Sequence, residues 1–246
     1  MTIDAPMSGK WPRWASRPLW PLAAGIFSGC VLSPAPPNEG QLGSDSFFYV
    51  CVQQSDAACN LVSSSKPLDK IPVIALGSTF GIVAEPLGDT VTSPTPFIEQ
   101  SSVGSTGSVF IAKRAGDAVL VSQSNSVSKN TVEATDLTHV HIHAPVTLAL
   151  SSGDVAPGFM ALDPSAVFML TKGSTVKVRV MSQDQAGVAL GGALACQWTS
   201  SNTAAVSLAS DPTANIVQLS GMTAGMSTVK VTYGELNVSF NVTVSP

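Results

Sequence analysis

All 3 histidines of the chain lie in one hexapeptide, "THVHIH", from Thr138 to His143. His139, His141 and His143 occupy alternate positions. Imidazole is the commonest metal ligand near neutral pH. On a strand, residues two apart share a face and stand about 6.6–7 Å apart. One His-x-His pair can therefore chelate an ion. Three in a row span roughly 13 Å, beyond the reach of one ion without a bend or bulge. Zinc also wants a third or fourth protein ligand. Glu133 and Asp136 are near in sequence, in a register the sequence does not fix. The other reading is that Val140 and Ile142 face a core and the histidines face water. The functional alternative kept here is a small-ligand or metal-binding surface protein using this strand.

Other chemistry is sparse. Asp89, Asp117, Asp154, Asp163, Asp184 and Asp211 are scattered in turn contexts. No serine sits in a Gly-x-Ser-x-Gly elbow, and no phosphate loop or dinucleotide fingerprint occurs. Sugar platforms need exposed aromatics, and most of the aromatics outside the N-terminal segment fall at core-like positions. The expectation is a protein that is not an enzyme and needs no cofactor.

The elements that would position these residues are strands. The chain is 44% hydrophobic, so a core is within reach, but only 11% charged, against a typical quarter. Ser, Thr, Asn, Gln and Gly must cover the surface, as in extracellular β modules. Short Val/Thr/Ser-rich runs broken by Gly, Pro and Asn point to an all-β fold. The chain holds 12 Lys and Arg against 16 Asp and Glu. Lys10, Arg13 and Arg17 lie in the first segment, so the remainder is more acidic still. No basic run offers a phosphate-tracking surface, which argues against nucleic acid as a partner.

The N-terminus reads as an address. "KWPRWASRPLWPLAAGIFSGC" is basic, then briefly apolar, then small before Cys30, the order of a secretory signal. The apolar run is shorter than the ~20 residues that span a bilayer. "FSGC" resembles the lipobox of bacterial lipoproteins, with Ser28, Gly29 and Cys30 matching and Phe27 where Leu is usual. The resemblance implies lipidation of Cys30, a membrane partner through that lipid, and a cell-envelope location. Val31 follows, rather than the Asp associated with inner-membrane retention, so the outer membrane is favoured. An ordinary secretory signal with a chance Cys30 is the other reading. The stretch 30–46 is rich in Pro, Ser, Gly and Asn and reads as a flexible tether.

In an oxidising compartment, Cys51 and Cys59 of "YVCVQQSDAACN" are expected to pair. Such a small loop is worth roughly 2–3 kcal/mol. No second ligand pair makes them a zinc knuckle. Cys196 remains, read as a buried thiol acting as a small hydrophobe.

The C-terminal third reads as about seven short strands with breakers at Gly173, Gly191–Gly192, Asn202, Asp211–Pro212, Gly225 and Gly234. That spacing argues for a Greek-key sandwich. In "TVKVRV", Val176, Val178 and Val180 face one way and Lys177 and Arg179 the other. Val238, Phe240, Val242 and Val244 repeat the pattern inward. Gly173-Ser-Thr, Trp198 followed by Thr-Ser-Ser-Asn202, Ala205-Val206, Gly221-x-x-x-Gly225 before "STVKVTYG" and the closing "VTVSP" resemble the bacterial Ig-like group 2 (BIG2) domain. The resemblance covers about 165–246 and implies an Ig-like sandwich with Trp198 as core anchor. Such domains occur in surface adhesins, which implies adhesion or a spacer role with a protein or surface partner.

The middle of the chain echoes this half. "ALGSTFGIV" parallels "TKGSTVKVRV", and "FIAKRAGDAVLVSQ" parallels "QLSGMTAGMSTVKVT". The expected organisation is a signal at 1–29, the tether at 30–46, and a divergent Ig-like sandwich at 47–144 lacking a central Trp. A linker or further strand at 145–164 and the BIG2-like sandwich at 165–246 complete it.

Overall fold

The computed structural model describes residues 39–42, 45–53, 56, 58–59, 70–85, 90–104, 107–126, 131–153, 159–209 and 215–246. The signal-like segment 1–29, Cys30 and the tether as far as 38 lie outside the described residues.

The first half folds as β1 (Ser46–Val50), β2 (Ile74–Ala75), β3 (Thr79–Glu85), β4 (Thr90–Thr92), β5 (Ile98–Gly104), β6 (Gly107–Ala112), β7 (Gly116–Ser126) and β8 (Thr131–His143). The second folds as β9 (Thr147–Gly153), β10 (Met160–Leu162), β11 (Val167–Thr171), β12 (Thr175–Gln183), β13 (Gln197–Ser200), β14 (Val206–Ala209), β15 (Ile216–Gly221), β16 (Gly225–Tyr233) and β17 (Leu236–Ser245). No α-helix occurs among the described residues.

Each half is a sandwich of two sheets. The first pairs β1-β3-β6-β5 with β2-β8-β7-β4, and the second pairs β10-β9-β12-β15-β14 with β11-β17-β16-β13. With β10 set aside as an extra edge, the two orders are the same. In both, a short strand lies parallel to the last strand, β2 on β8 and β11 on β17. All other named pairs are antiparallel. The chain crosses repeatedly between sheets, which is the Greek-key arrangement of an Ig-like domain. The internal echo falls on equivalent places: Gly77 and Gly173 turn before β3 and β12 at φ 85 and 83, and Gly116 and Gly225 open β7 and β16.

Alternation builds the two cores. Val178 and Val180 of β12 meet Val229 and Val231 of β16 and Phe240 and Val242 of β17 in the second core. Trp198 of β13 is buried there too. The equivalent strand of the first sandwich, β4, contributes Val91 to a core of Phe47, Tyr49, Phe80, Phe110 and Leu120. A Val at that place is how the first sandwich does without the central Trp. Cys51 and Cys59 form the disulfide, with Cα atoms 5.7 Å apart, and Cys196 is free and buried.

One stretch differs in character from the sequence reading, and another, expected as a linker or a further strand, forms strands. The end of the expected tether is part of the fold. Glu39 bridges to Ser46, Gln41 N–H donates to Leu137 O at 2.9 Å, and Leu42 N–H donates to Asp136 Oδ1 at 2.8 Å. The sequence hid this because the holding group is a carboxylate about ninety residues away. The stretch 145–164 carries β9 and β10, and β9 pairs with β12 over seven positions from Lys177↔Gly153 to Gln183↔Thr147.

Candidate functional site

The run from Ile71 to Leu76 is apolar at nearly every position, a pattern suited to a strand covered on both faces. Here the two faces belong to different sandwiches. Ile74 packs into the first core with Leu76 beside it, while Ala75 packs into the second with Val73 beside it. β2 is therefore shared.

Backbone pairing continues across the joint. On one side Ile74 pairs with Ile142 of β8. On the other, Ala75 N–H donates to Gly191 O at 2.9 Å, and Gly191 N–H donates to Val73 O at 2.8 Å. Thr79 and Ala193 exchange both bonds, at 3.0 and 2.7 Å. The β12–β13 connection of the second sandwich thus runs along the edge of the first. Small residues permit this approach. A Cβ on Gly192, whose φ is +101°, would stand 2.0 Å from Ser78 Oγ, and one on Gly191 would stand 2.6 Å from Pro72 Cγ.

Side chains lock the same place. Asp56 is fully buried. Its carboxylate accepts from the Tyr49 hydroxyl, from Ala58 N–H at 2.9 Å and from Gly192 N–H at 3.0 Å. The disulfide loop of the first sandwich therefore holds the backbone of the second. Burial pushes the Asp56 carboxyl up, and the bonds from Tyr49, Ala58 and Gly192 oppose that rise. Burial and the neighbouring Asp56 hold the Tyr49 phenol well above its usual value, so it stays a donor. Tyr233 of β16 donates to Leu76 O at 2.5 Å. His143 Nδ1 meets Asp184 Oδ2 at 3.1 Å, again joining the last strand of one sandwich to the other.

The histidine strand is resolved by the same geometry. Val140 and Ile142 are buried in the first core, and His139, His141 and His143 are exposed. His141 Nδ1 is 2.6 Å from Asp117 Oδ1, its cross-strand partner on β7. His141 and His143 thus engage two different acids. Asp136 does not join them: its carboxylate takes N–H groups from Leu42, Asp45 and Leu137. Among the described residues, no group of three or more His, Cys, Asp or Glu could hold a metal ion.

Cys196 sits in the second core, and burial pushes its thiol up to about 12. The residues that matter at the joint were absent from the sequence-based candidates. Asp56 lacked any local pattern. Gly191 and Gly192 read only as breakers, although a Gly pair between Ala-Leu dipeptides signals a close backbone approach.

No family model matches the chain, and no curated protein does. Among solved structures it is similar to the S-layer protein rSbsC(31-844), at 18% identity over 68% of this chain and 23% of that one, with TM-score 0.31. The chain thus spans under a quarter of that protein's length. It is similar to the Escherichia coli adhesin FdeC at 12% identity, covering 70% of this chain and 60% of that one, with TM-score 0.32. An endo-fucoidan hydrolase of glycoside hydrolase family 107 aligns at 12% identity over 72% of this chain and 28% of its own, with TM-score 0.31.

Proposed function

We propose that this is a non-enzymatic, lipid-anchored protein of the bacterial cell envelope, whose two Ig-like sandwiches act as one stiff spacer or adhesion module. The observation that carries the reading is the shared strand β2, with Ile74 in one core and Ala75 in the other. Independent beads on a string need no such strand. A module that must hold its two sandwiches at a fixed angle to each other does. The "FSGC" signature supplies the anchor, Cys30, and two acyl chains suffice for stable membrane attachment. Val31 favours the outer membrane. The resemblance of 165–246 to BIG2 domains, through Trp198 and the Gly221-x-x-x-Gly225 turn, fits the same role.

Mass spectrometry of the mature protein tests the anchor. A diacylated N-terminal Cys30 supports it, and an unmodified N-terminus at another residue overturns it. Capture from surface-labelled cells with Ala35–Pro246 as bait, which keeps the paired residues Glu39, Gln41 and Leu42, separates the two roles. A specific partner means adhesion; none means a spacer.

A further inference from the structure

The sheet β10-β9-β12-β15-β14 is segregated in charge. The chain has 16 acidic residues, yet these five strands contain no Asp or Glu, and their charges are Lys177 and Arg179. Both lie on the outer face, opposite the buried Val178 and Val180. Lys177 is exposed, as alternation requires. Arg179 is only 7% exposed. The Phe159 ring lies over its guanidinium, 4.7 Å from ring centroid to Cζ. Its neighbours across the sheet on the same face are Ser151 on β9 and Ile216 on β15.

Among the described residues, Arg179 Nε and Nη1 and Ser151 Oγ are buried and have no hydrogen-bond partner. Ser151 is 3% exposed. Buried polar atoms nearly always have partners, and a buried cation without one is strongly unfavourable. Burial alone lowers the Arg179 pKa, the direction expected of a desolvated cation. A cation, a free hydroxyl, a second cation two residues along the strand and an apolar ring above them make a place that offers donors and positive charge.

We propose that the outer face of this sheet binds a small carboxylate, with Arg179 and Ser151 as its hydrogen-bond donors, Lys177 as supporting charge and Phe159 as its cover. One guanidinium balances one carboxylate charge, whereas a phosphate dianion would call for more donors than the described residues place here. The site lies apart from the joint, so the spacer reading can fail without touching it.

The test is a titration of the whole chain with sodium acetate, followed by NMR, against sodium chloride at equal ionic strength and against phosphate. The resonances followed are Arg179 Nε–H and the backbone amides of Ser151 and Ile216. A saturable acetate shift is expected, lost in Arg179→Met and weakened roughly two- to threefold in Lys177→Gln, an exposed charge with a modest share. Without acetate, Arg179→Met should be at least as stable as the parent, because it removes an unpaired buried charge. No shift beyond chloride, binding of phosphate in place of acetate, or an unchanged acetate shift in Arg179→Met overturns the proposal. If Arg179→Met does not fold, Ser151→Ala and Lys177→Gln decide: an acetate midpoint unmoved by both overturns it.

Discussion

Ile74 and Ala75 are neighbours in the chain, each 0% exposed, and each lies in a different hydrophobic core. A strand with one face in each of two sandwiches leaves no flexible linker between them. The bonds of Ala75, Gly191, Thr79 and Ala193 extend that continuity to the backbone. Bending the joint would break paired backbone groups and expose apolar surface together.

Gly192→Ala tests the closeness of the joint. The new methyl would have to displace Ser78 Oγ at a left-handed backbone position. Strain of this kind and overpacking together cost about 2–4 kcal/mol. Urea unfolding measures the loss, and Ser78→Gly in the same chain should restore the part due to the clash but not the part due to φ.

Asp56 gives the joint a pH signature. Its folded pKa is raised, chiefly by burial, so the folded chain holds this proton to higher pH than the unfolded chain does. The resulting stabilisation is complete below the unfolded carboxylate value and is lost as pH rises through the folded one. Urea midpoints measured at stepped pH should show that fall, and Asp56→Asn should flatten it. Asp56→Ala strands the Tyr49, Ala58 and Gly192 donors and should cost about 3–5 kcal/mol.

Reduction of the Cys51–Cys59 disulfide should be felt at the joint as well as within the first sandwich. Opening a loop with sequence separation 8 costs roughly 2–3 kcal/mol in the chain-entropy account. Asp56 lies inside that loop, so hydrogen exchange at the Gly192 amide should quicken on reduction. Exchange at Val242, deep in the second core, should change far less.

Cys196 should resist alkylation in the folded chain. Its thiol is fully buried and pushed up to about 12, and the thiolate is the reactive form. Labelling should therefore follow unfolding. Rapid modification under native conditions would show that the second core opens locally.

The histidines should be silent towards metal. Calorimetric titration with zinc is expected to show no saturable micromolar binding. Binding that disappears in His141→Ala would establish the chelate reading. Removing His141 should change stability by no more than about 1 kcal/mol, since its partner Asp117 is a surface neighbour.

Much of the fold was legible because each sandwich repeats local signals. Gly turns at Gly77 and Gly173, the alternation of Val176, Val178 and Val180, and Trp198 in its strand all act over a few residues. The joint was not legible, since it joins segments more than a hundred residues apart. Asp56 contacts Gly192, and Ser78 contacts Gly191, with nothing in the local pattern to announce either. The run from Ile71 to Leu76 did carry a signal, apolar on both faces, but a single sandwich supplies a core for only one. Arg179 lies on the side that alternation gives it, opposite Val178 and Val180, and its burial there was not legible because its cover, Phe159, comes from outside the strand pattern.

The coupling of the two sandwiches is tested most directly by residual dipolar couplings from the partially aligned chain. Alignment tensors fitted separately to the backbones of β1–β8 and β9–β17 should agree in magnitude and orientation. Tensors that differ between the two sandwiches would mean that they move independently, and the shared strand would not be a rigid joint.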